Sequence, residues 1–444
     1  MSDSDLVGAI DDRVRLKIGN EEVLISESYE VRMSVLTVPS IFHLKLGDGR
    51  AILELIDSYP PNTPFELSIG NVVQFRGRID AFESSAGSGG GSFTLRGRDH
   101  MAPLVDGFVR AERSWTNVTY AQLAEDCLDA TVQATTVLKY DADADRSIRC
   151  GTKIKGRGKR GVVSVATTKQ KSVQAKIGER YYDGILKPQL DRAGLHMRAS
   201  AENDYTFILD TVHADLPPVA KLINQRGAYP NAVNVLSSSF KLDTTTRYTD
   251  YEIYGRGGGK KSGITKAHGS FVDEEMKLLG YRNRFFCHRD EKVSTDAEGL
   301  AMARKVAADH RRHSFHLSYQ VQGHTVTGLT GKRVVWTPDT VIEVDDQENG
   351  LFGPFWLESV TMTRSGSGTT SDLTLMRPGD LVFGSEPAPP QVAAGRPGGY
   401  VSSWLINASR GNKAAIEKLS KASQKQIIDE SLRVAQLVKQ GFKL

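Results

Sequence analysis

Cysteine is scarce in this 444-residue chain, and what there is forms no pattern. Cys127, Cys150 and Cys287 give an odd count without CxxC spacing, which argues against a disulfide framework and for folding in a reducing cytoplasm. Long apolar runs are missing: none approaches the roughly 20 residues that cross a bilayer. The opening Met1-Ser2-Asp3-Ser4-Asp5 is acidic, so no signal peptide is expected. Neither sign of charge is in excess, since a net +4 is small for this length and demands no polyanionic partner. With 39% hydrophobic and 25% charged residues, the composition is that of a globular chain of roughly two to four domains.

Catalytic signatures are absent too. There is no G-x-S-x-G, and Cys287-His288 are adjacent in sequence, whereas a nucleophile and its base must face each other across a site. Tyr254 to Ser262 imitates a P-loop, but the motif's first glycine falls on Tyr254 and Lys261 occupies the Ser/Thr position. Asp141, Asp143 and Asp145 imitate a calcium loop, but Arg146 stands where a glycine is required and Thr152 where a bidentate Glu belongs. His310, His313 and His316 share helical spacing with His324 beyond them. His316 already belongs to a strand pattern, and no Cys or carboxylate completes a familiar ligand set. The Gly-rich run from Ala86 to Ser92 reads as a hairpin tip, because no helix pattern follows it. The expectation is a protein that is not an enzyme and uses no cofactor and no metal. A cell-wall hydrolase with two carboxylates across a cleft is the alternative that a sequence leaves open.

What is present is a succession of short strands. From His316 to Pro378, Leu317, Tyr319 and Val321 alternate with polar residues before Gly323, and Val334-Val335-Trp336 runs into Pro338. Val341 to Val344 ends in the acidic turn Asp345-Asp346, Phe355 to Met362 follows, and Leu373-Thr374-Leu375 closes the run after a Ser/Gly hairpin. Period-two runs bounded by Gly, Pro and Asp predict a small antiparallel barrel. A similar block over residues 11–100 holds six predicted strands, among them Arg13 to Ile18, Phe65 to Ile69 and Phe93 to Arg98. Between the two, Thr119 caps a helix with Leu123, Cys127 and Leu128 on its stripe, and a second helix runs from Tyr181 to Ala193 with Gly194 as its stop. Leu195 to Ala199 and Tyr205 to Leu209 read as a strand pair, and Val233 to Leu242 with Arg247 to Tyr254 as a pair returning the chain to the first barrel. Thr295 to Arg312 is a helix with Leu300, Ala303, Val306 and Ala307 on its apolar stripe.

The fold class expected is mainly β with an α+β insertion. Its parts are a first barrel over 1–110 completed by 232–256, an inserted α/β domain over 111–231, a second barrel with its preceding helix over 260–385, and a Pro/Gly linker and C-terminal helix over 386–444. That last helix, from about Lys413 to Gln440, is amphipathic, with Ile427, Ile428, Leu432, Val434, Ala435 and Val438 on one face. Gln426 and Glu430 interrupt any coiled-coil seam, so the apolar face is to be covered by its own chain, by a neighbouring assembly protein, or by a membrane surface. The most concentrated charge is Lys153, Lys155, Arg157, Lys159 and Arg160, with no aromatic to stack a base and no reading helix. It therefore reads as a disordered or partner-contacting loop rather than a nucleic-acid site. These five cations, with Ile427, Ile428, Leu432, Ala435 and Val438, are the candidate partner-binding residues.

The order of signals resembles the baseplate hub proteins of contractile phage tails, the Mu-like hub and phage late control protein D family. It is carried by Tyr319, Val321, Gly323, His324, Trp336, Pro338, Val344, Asp345, Leu357, Val360, Leu373, Leu375 and Pro378, and in the first block by Ile69 to Asp80 and Gly97 to Asp106. The resemblance covers about residues 11–385. It implies a virion structural protein of the tail baseplate, assembled in the host cytoplasm as a homotrimer in which six barrels form a pseudo-sixfold ring. Such a ring adapts a hexameric tail tube or tube-initiator protein to a trimeric central spike. Tape measure and baseplate wedge proteins are further implied partners, with no membrane and no specific nucleic acid. The hub of a non-viral contractile injection system is the second alternative.

Overall fold

The computed structural model describes residues 12–19, 21–24, 28–46, 60–87, 90–132, 134–141, 143–145, 148, 172–225, 233–255, 267–290, 293 and 295–384. The first block holds β1 (Val14–Ile18), β2 (Glu21–Leu24), β3 (Ser28–Ser34), β4 (Ile41–Leu46), β5 (Pro64–Ile69), β6 (Val72–Gly87) and β7 (Gly90–Asp99). Alternation makes them strands: Val14, Leu16 and Ile18 of β1 and Tyr29, Val31 and Met33 of β3 point into the core, while their neighbours are more exposed.

The insertion follows, with α1 (Ala102–Asp106), β8 (Arg113–Trp115), α2 (Tyr120–Thr131), β9 (Val137–Tyr140) and β10 (Val173–Ala175). A π-helical turn at Tyr181–Leu186 leads into α3 (Lys187–Ala193), then β11 (His196–Ala199) and β12 (Thr206–Asp210). Its second predicted helix is thus a π turn continued by one short α-helix. α2 opens with a reciprocal cap: Thr119 Oγ1 accepts from Gln122 N at 3.1 Å, and Gln122 Oε1 accepts from Thr119 N at 3.0 Å. α3 stops at Gly194, whose φ of 75° is left-handed. The insertion has its own core, in which Trp115, Tyr120, Leu123, Leu128, Ile185 and Phe207 meet.

The last block holds β13 (Ala220–Asn224), β14 (Val235–Leu242), β15 (Asp250–Gly255), β16 (His268–Val272), α4 (Glu274–Leu278), β17 (Phe285–Asp290) and α5 (Asp296–Ser314). Then come β18 (Phe315–Gln322), β19 (Thr325–Thr327), β20 (Arg333–Val335), β21 (Thr340–Asp346), β22 (Leu351–Ser365) and β23 (Gly368–Met376). The fold is β-rich with an α/β insertion.

Strands of both expected barrels share one curled, 13-stranded sheet, in the order β14-β18-β23-β22-β3-β4-β7-β6-β5-β1-β2, with β21 on β22 and β13 on β21, while β19 and β20 pair apart from it. β22 joins the blocks. Along one side it pairs with β23; along the other, residues 351–357 pair with β21 and residues 359–364 with β3. The changeover is at Glu358, where the β22–β23 register shifts. One apolar core runs through both blocks, from Leu16, Phe42 and Leu95 to Tyr319, Phe355 and Leu375.

The strands expected to return together to the first barrel separate. β14 lies antiparallel on β18, with Phe240 opposite Leu317 and its ring 5.4 Å from that of Phe315. β15 lies between β16 and β17 in a separate three-stranded sheet covered by α5. Alternation marks both as strands, but the choice of partner comes from long-range packing that no local period encodes. α5 reaches that sheet because Gly299 meets Gly269 backbone to backbone; a Cβ on Gly299 would lie 2.7 Å from Gly269 N.

Candidate assembly site

Three polar junctions hold the parts of this β scaffold in register. The first lies where β3 meets the second block. Tyr29 OH and His324 Nε2 are 2.7 Å apart, His324 Nδ1 and Ser371 Oγ 2.8 Å, and Ser371 Oγ donates to Gly323 O at 2.8 Å. The Ser371 hydroxyl has a single proton, and Gly323 takes it. His324 therefore carries its proton on Nδ1 and accepts from Tyr29 at Nε2. Burial pushes the His324 imidazole down to about 4 and the Tyr29 phenol up. Beside it, Ser34 Oγ donates to Glu358 Oε1 at 2.5 Å and Val35 N to Glu358 O at 3.1 Å, so β3 ends on the β22 bulge.

This junction is expected to be acid-sensitive. The unfolded imidazole takes a proton near its ordinary 6.5, whereas the folded one does so only near 4. Between those values the unfolded chain binds more protons, so stability falls as pH falls, by about 3 kcal/mol for a shift of this size. His196, also pushed by burial to about 4, adds a slope of the same sign. Denaturant titrations from pH 7 to pH 4 should show a flatter decline in His324→Leu than in the parent chain.

The second junction clamps the insertion. Asp339, at a φ of 66° and buried, accepts at Oδ1 from His213 N at 2.8 Å and from Trp356 Nε1 at 3.0 Å. Its Oδ2 faces His213 Nδ1 at 2.6 Å and Arg198 at 3.3 Å, and Arg198 also reaches Asp210 at 3.1 Å. At the first block, Arg76 donates to Ala201 O and Glu66, Arg78 reaches Tyr205 OH, and His100 lies 3.6 Å from Asp204. The insertion is therefore tied to both blocks.

The third junction is a buried chain of charges. Arg247 holds Asp273 at 2.9 Å and Glu275 at 2.7 Å; Arg377 holds Glu275 at 2.8 Å and Asp380 at 2.7 Å; Arg311 lies 3.4 Å from Asp380. Burial works to raise the Glu275 carboxyl, but Arg377 and Arg247 outweigh it and hold that group well below the usual carboxylate range. Arg377 also lies over the Phe315 ring at 4.7 Å. The cluster fastens the β15–β17 sheet and α4 to the end of β23.

The residues singled out from sequence fall in different places. Tyr319, Val321, Trp336, Val344, Leu357, Val360, Leu373 and Leu375 are core residues, and Asp345 pairs with Lys221 at 2.8 Å. Asp141 Oδ1 accepts from the backbone N–H groups of Asp143 and Ala144 at 3.0 and 3.1 Å, which makes it a turn cap. His310 sits among Tyr248, Tyr251 and Phe286, and His313 Nδ1 lies 2.7 Å from Asp309 O. Among the described residues no three His, Cys, Asp or Glu side chains are placed to hold a metal ion. Burial pushes the Cys127 thiol up to about 12, while Cys287 is exposed on β17. The five cations from Lys153 to Arg160 and the apolar positions from Ile427 to Val438 lie outside the described residues. Sequence reasoning missed Tyr29, Asp339, Glu275, Glu358 and Arg377. Of these, Asp339 had a local signal, a turn-forming acid directly after Trp336-Thr337-Pro338.

No family model matches the chain, and no curated protein does. Solved structures do match. The 43 kDa tail protein of prophage MuSo2 from Shewanella oneidensis aligns with a TM-score of 0.63 at 17% identity, over 83% of this chain and 99% of that one. The tail protein from Neisseria meningitidis MC58 aligns with a TM-score of 0.63 at 20% identity, over 84% of this chain and 98% of that one. At such identities the likeness is one of architecture, and the chain has the fold of these tail proteins.

Proposed function

We propose that this chain is the structural baseplate hub of a contractile phage tail, a homotrimer whose pseudo-sixfold ring adapts a hexameric tail tube to a trimeric central spike. The observation that carries this reading is β22: one strand joins two strand-rich blocks of a single protomer into one sheet. A protomer with two strand-rich blocks joined through one sheet offers six positions in a threefold ring, which is the geometry a symmetry adaptor needs. The fold shared with two tail proteins over nearly their whole length supports the same role. The three polar junctions then keep the two blocks and the insertion in fixed register, and the chain's work is geometric rather than catalytic. Class averages of the purified full chain by electron microscopy test this. The expected image is a threefold ring with a near-sixfold rim; separate bilobed particles would contradict it.

A further inference from the structure

The three-stranded sheet of the insertion, in the order β11-β12-β9, ends on β9, which among the described residues pairs with β12 alone. Val137 and Tyr140 of this edge are 52% and 47% exposed, a poor arrangement for an unpaired edge in water. Next to it, α2 carries Glu125, Asp126 and Asp129 on its exposed stripe. The turn holding Asp141, Asp143 and Asp145 closes on the start of α2 through Ala121 N to Ala144 O at 3.0 Å. Residues 125–145 contain six acids against one cation, Lys139, which itself pairs with Glu202 at 3.4 Å. Some of this charge is engaged: Asp126 accepts from Trp115 Nε1 at 2.7 Å, Asp141 caps its own turn, Asp143 has a partner of its own, and Asp129 shares a surface pocket with Arg110 and Arg113. In a chain whose net charge is +4, this face is a local excess of the opposite sign with apolar residues beside it.

We propose that the chain's own residues 413–440 dock on this face, their lysines toward α2 and the 141–145 turn and their apolar positions toward Val137 and Tyr140. Two features select this occupant. The first is charge. Residues 401–444 hold eight Lys or Arg against three Asp or Glu, and four of those cations fall between Lys413 and Lys425. Residues 125–145, with six acids against one cation, and a segment with a surplus of five cations are complementary in charge. The second is where the described chain ends. Phe383 packs edge-on against His196 at 4.8 Å, and Gly384 lies so close to α3 that a Cβ on it would be 3.1 Å from the backbone of Ala193. The described residues thus end beside the first residue of β11, in the sheet whose far edge is β9, about 10 Å across at the usual strand spacing. Residues 385–412 can span about 90 Å when extended, so they bridge that distance easily.

Zero-length carbodiimide coupling on the full chain tests the proposal, because it joins a lysine to a carboxylate only where the two already touch. Peptide mass spectrometry should find Lys418, Lys421 or Lys425 joined to Glu125, Asp129 or Asp145. In a mixture of isotopically light and heavy copies, those links should join fragments of one label. In the full-length variant Lys418→Glu/Lys421→Glu/Lys425→Glu, the links should vanish and amide exchange at residues 137–140 should rise roughly tenfold. Exchange at β18 and β22 should stay unchanged, which shows that the body is folded. Adding Glu125→Lys and Asp129→Lys to that variant should restore slow exchange. Mixed-label links would assign the face to a second copy, and overturn the proposal. Faster exchange at 137–140 on neutralising Lys153, Lys155, Arg157, Lys159 and Arg160 instead would assign it to that basic stretch, and overturn the proposal equally. Links from the C-terminal lysines to other surfaces would also overturn it.

Discussion

Replacing Arg377 with methionine should cost about 3–5 kcal/mol of stability, because it leaves buried carboxylates facing a vanished cation. Arg377 is 3% exposed and is shared by Glu275 and Asp380, which are themselves almost out of water. Methionine keeps much of the volume over the Phe315 ring, so the loss is chiefly electrostatic. The cluster predicts its own rescue. If Glu275 is also changed, to leucine, Arg247 still has Asp273 and Arg311 still has Asp380, so every remaining charge keeps an opposite. The double variant Arg377→Met/Glu275→Leu should therefore recover most of the loss, since apolar replacement of a whole buried pair is often neutral. Denaturant unfolding at fixed protein concentration measures both variants. Losses that simply add in the double variant would show that the two side chains do not act as a pair.

Trp356→Ala is the second large effect, expected at about 3–5 kcal/mol from the cavity and lost contacts together. Trp356 is fully buried, packs with Val35, Leu381 and Phe383, and donates from Nε1 to Asp339. Because Asp339 also holds His213 and Arg198, the loss should be felt first in the insertion. Amide exchange should speed up at β11 and β12 before it does at β4 and β7. Trp356→Phe, which keeps a ring but not the donor, should cost about 1–2 kcal/mol, since Asp339 Oδ1 retains the His213 amide. If alanine instead loosened β4 and β7 as early as β11, the clamp at Asp339 would not be what fixes the insertion.

The sequence spoke most clearly where burial has a period. Leu317, Tyr319, Val321, Leu373 and Leu375 are buried because a half-exposed strand must alternate, and Thr119 with Gln122 caps α2 because the spacing lets each reach the other's amide. It was silent where partners are distant. Tyr29 lies 295 residues from His324, Ser34 324 residues from Glu358, and Glu275 102 residues from Arg377, separations at which a single chain carries no readable pattern. The partner of β14 was misassigned for the same reason, since Phe240 marks a strand but not the strand it meets. The π turn before α3 escaped because its apolar residues, Tyr181, Tyr182, Ile185 and Leu186, keep helical spacing.

The mass of the purified full chain by native mass spectrometry at micromolar concentration tests the central claim most directly. A hub that reconciles threefold with sixfold symmetry predicts one dominant species of about 146 kDa, three times the 48.7 kDa chain. A dominant 48.7 kDa monomer, or a dimer that dilution does not disturb, would contradict it.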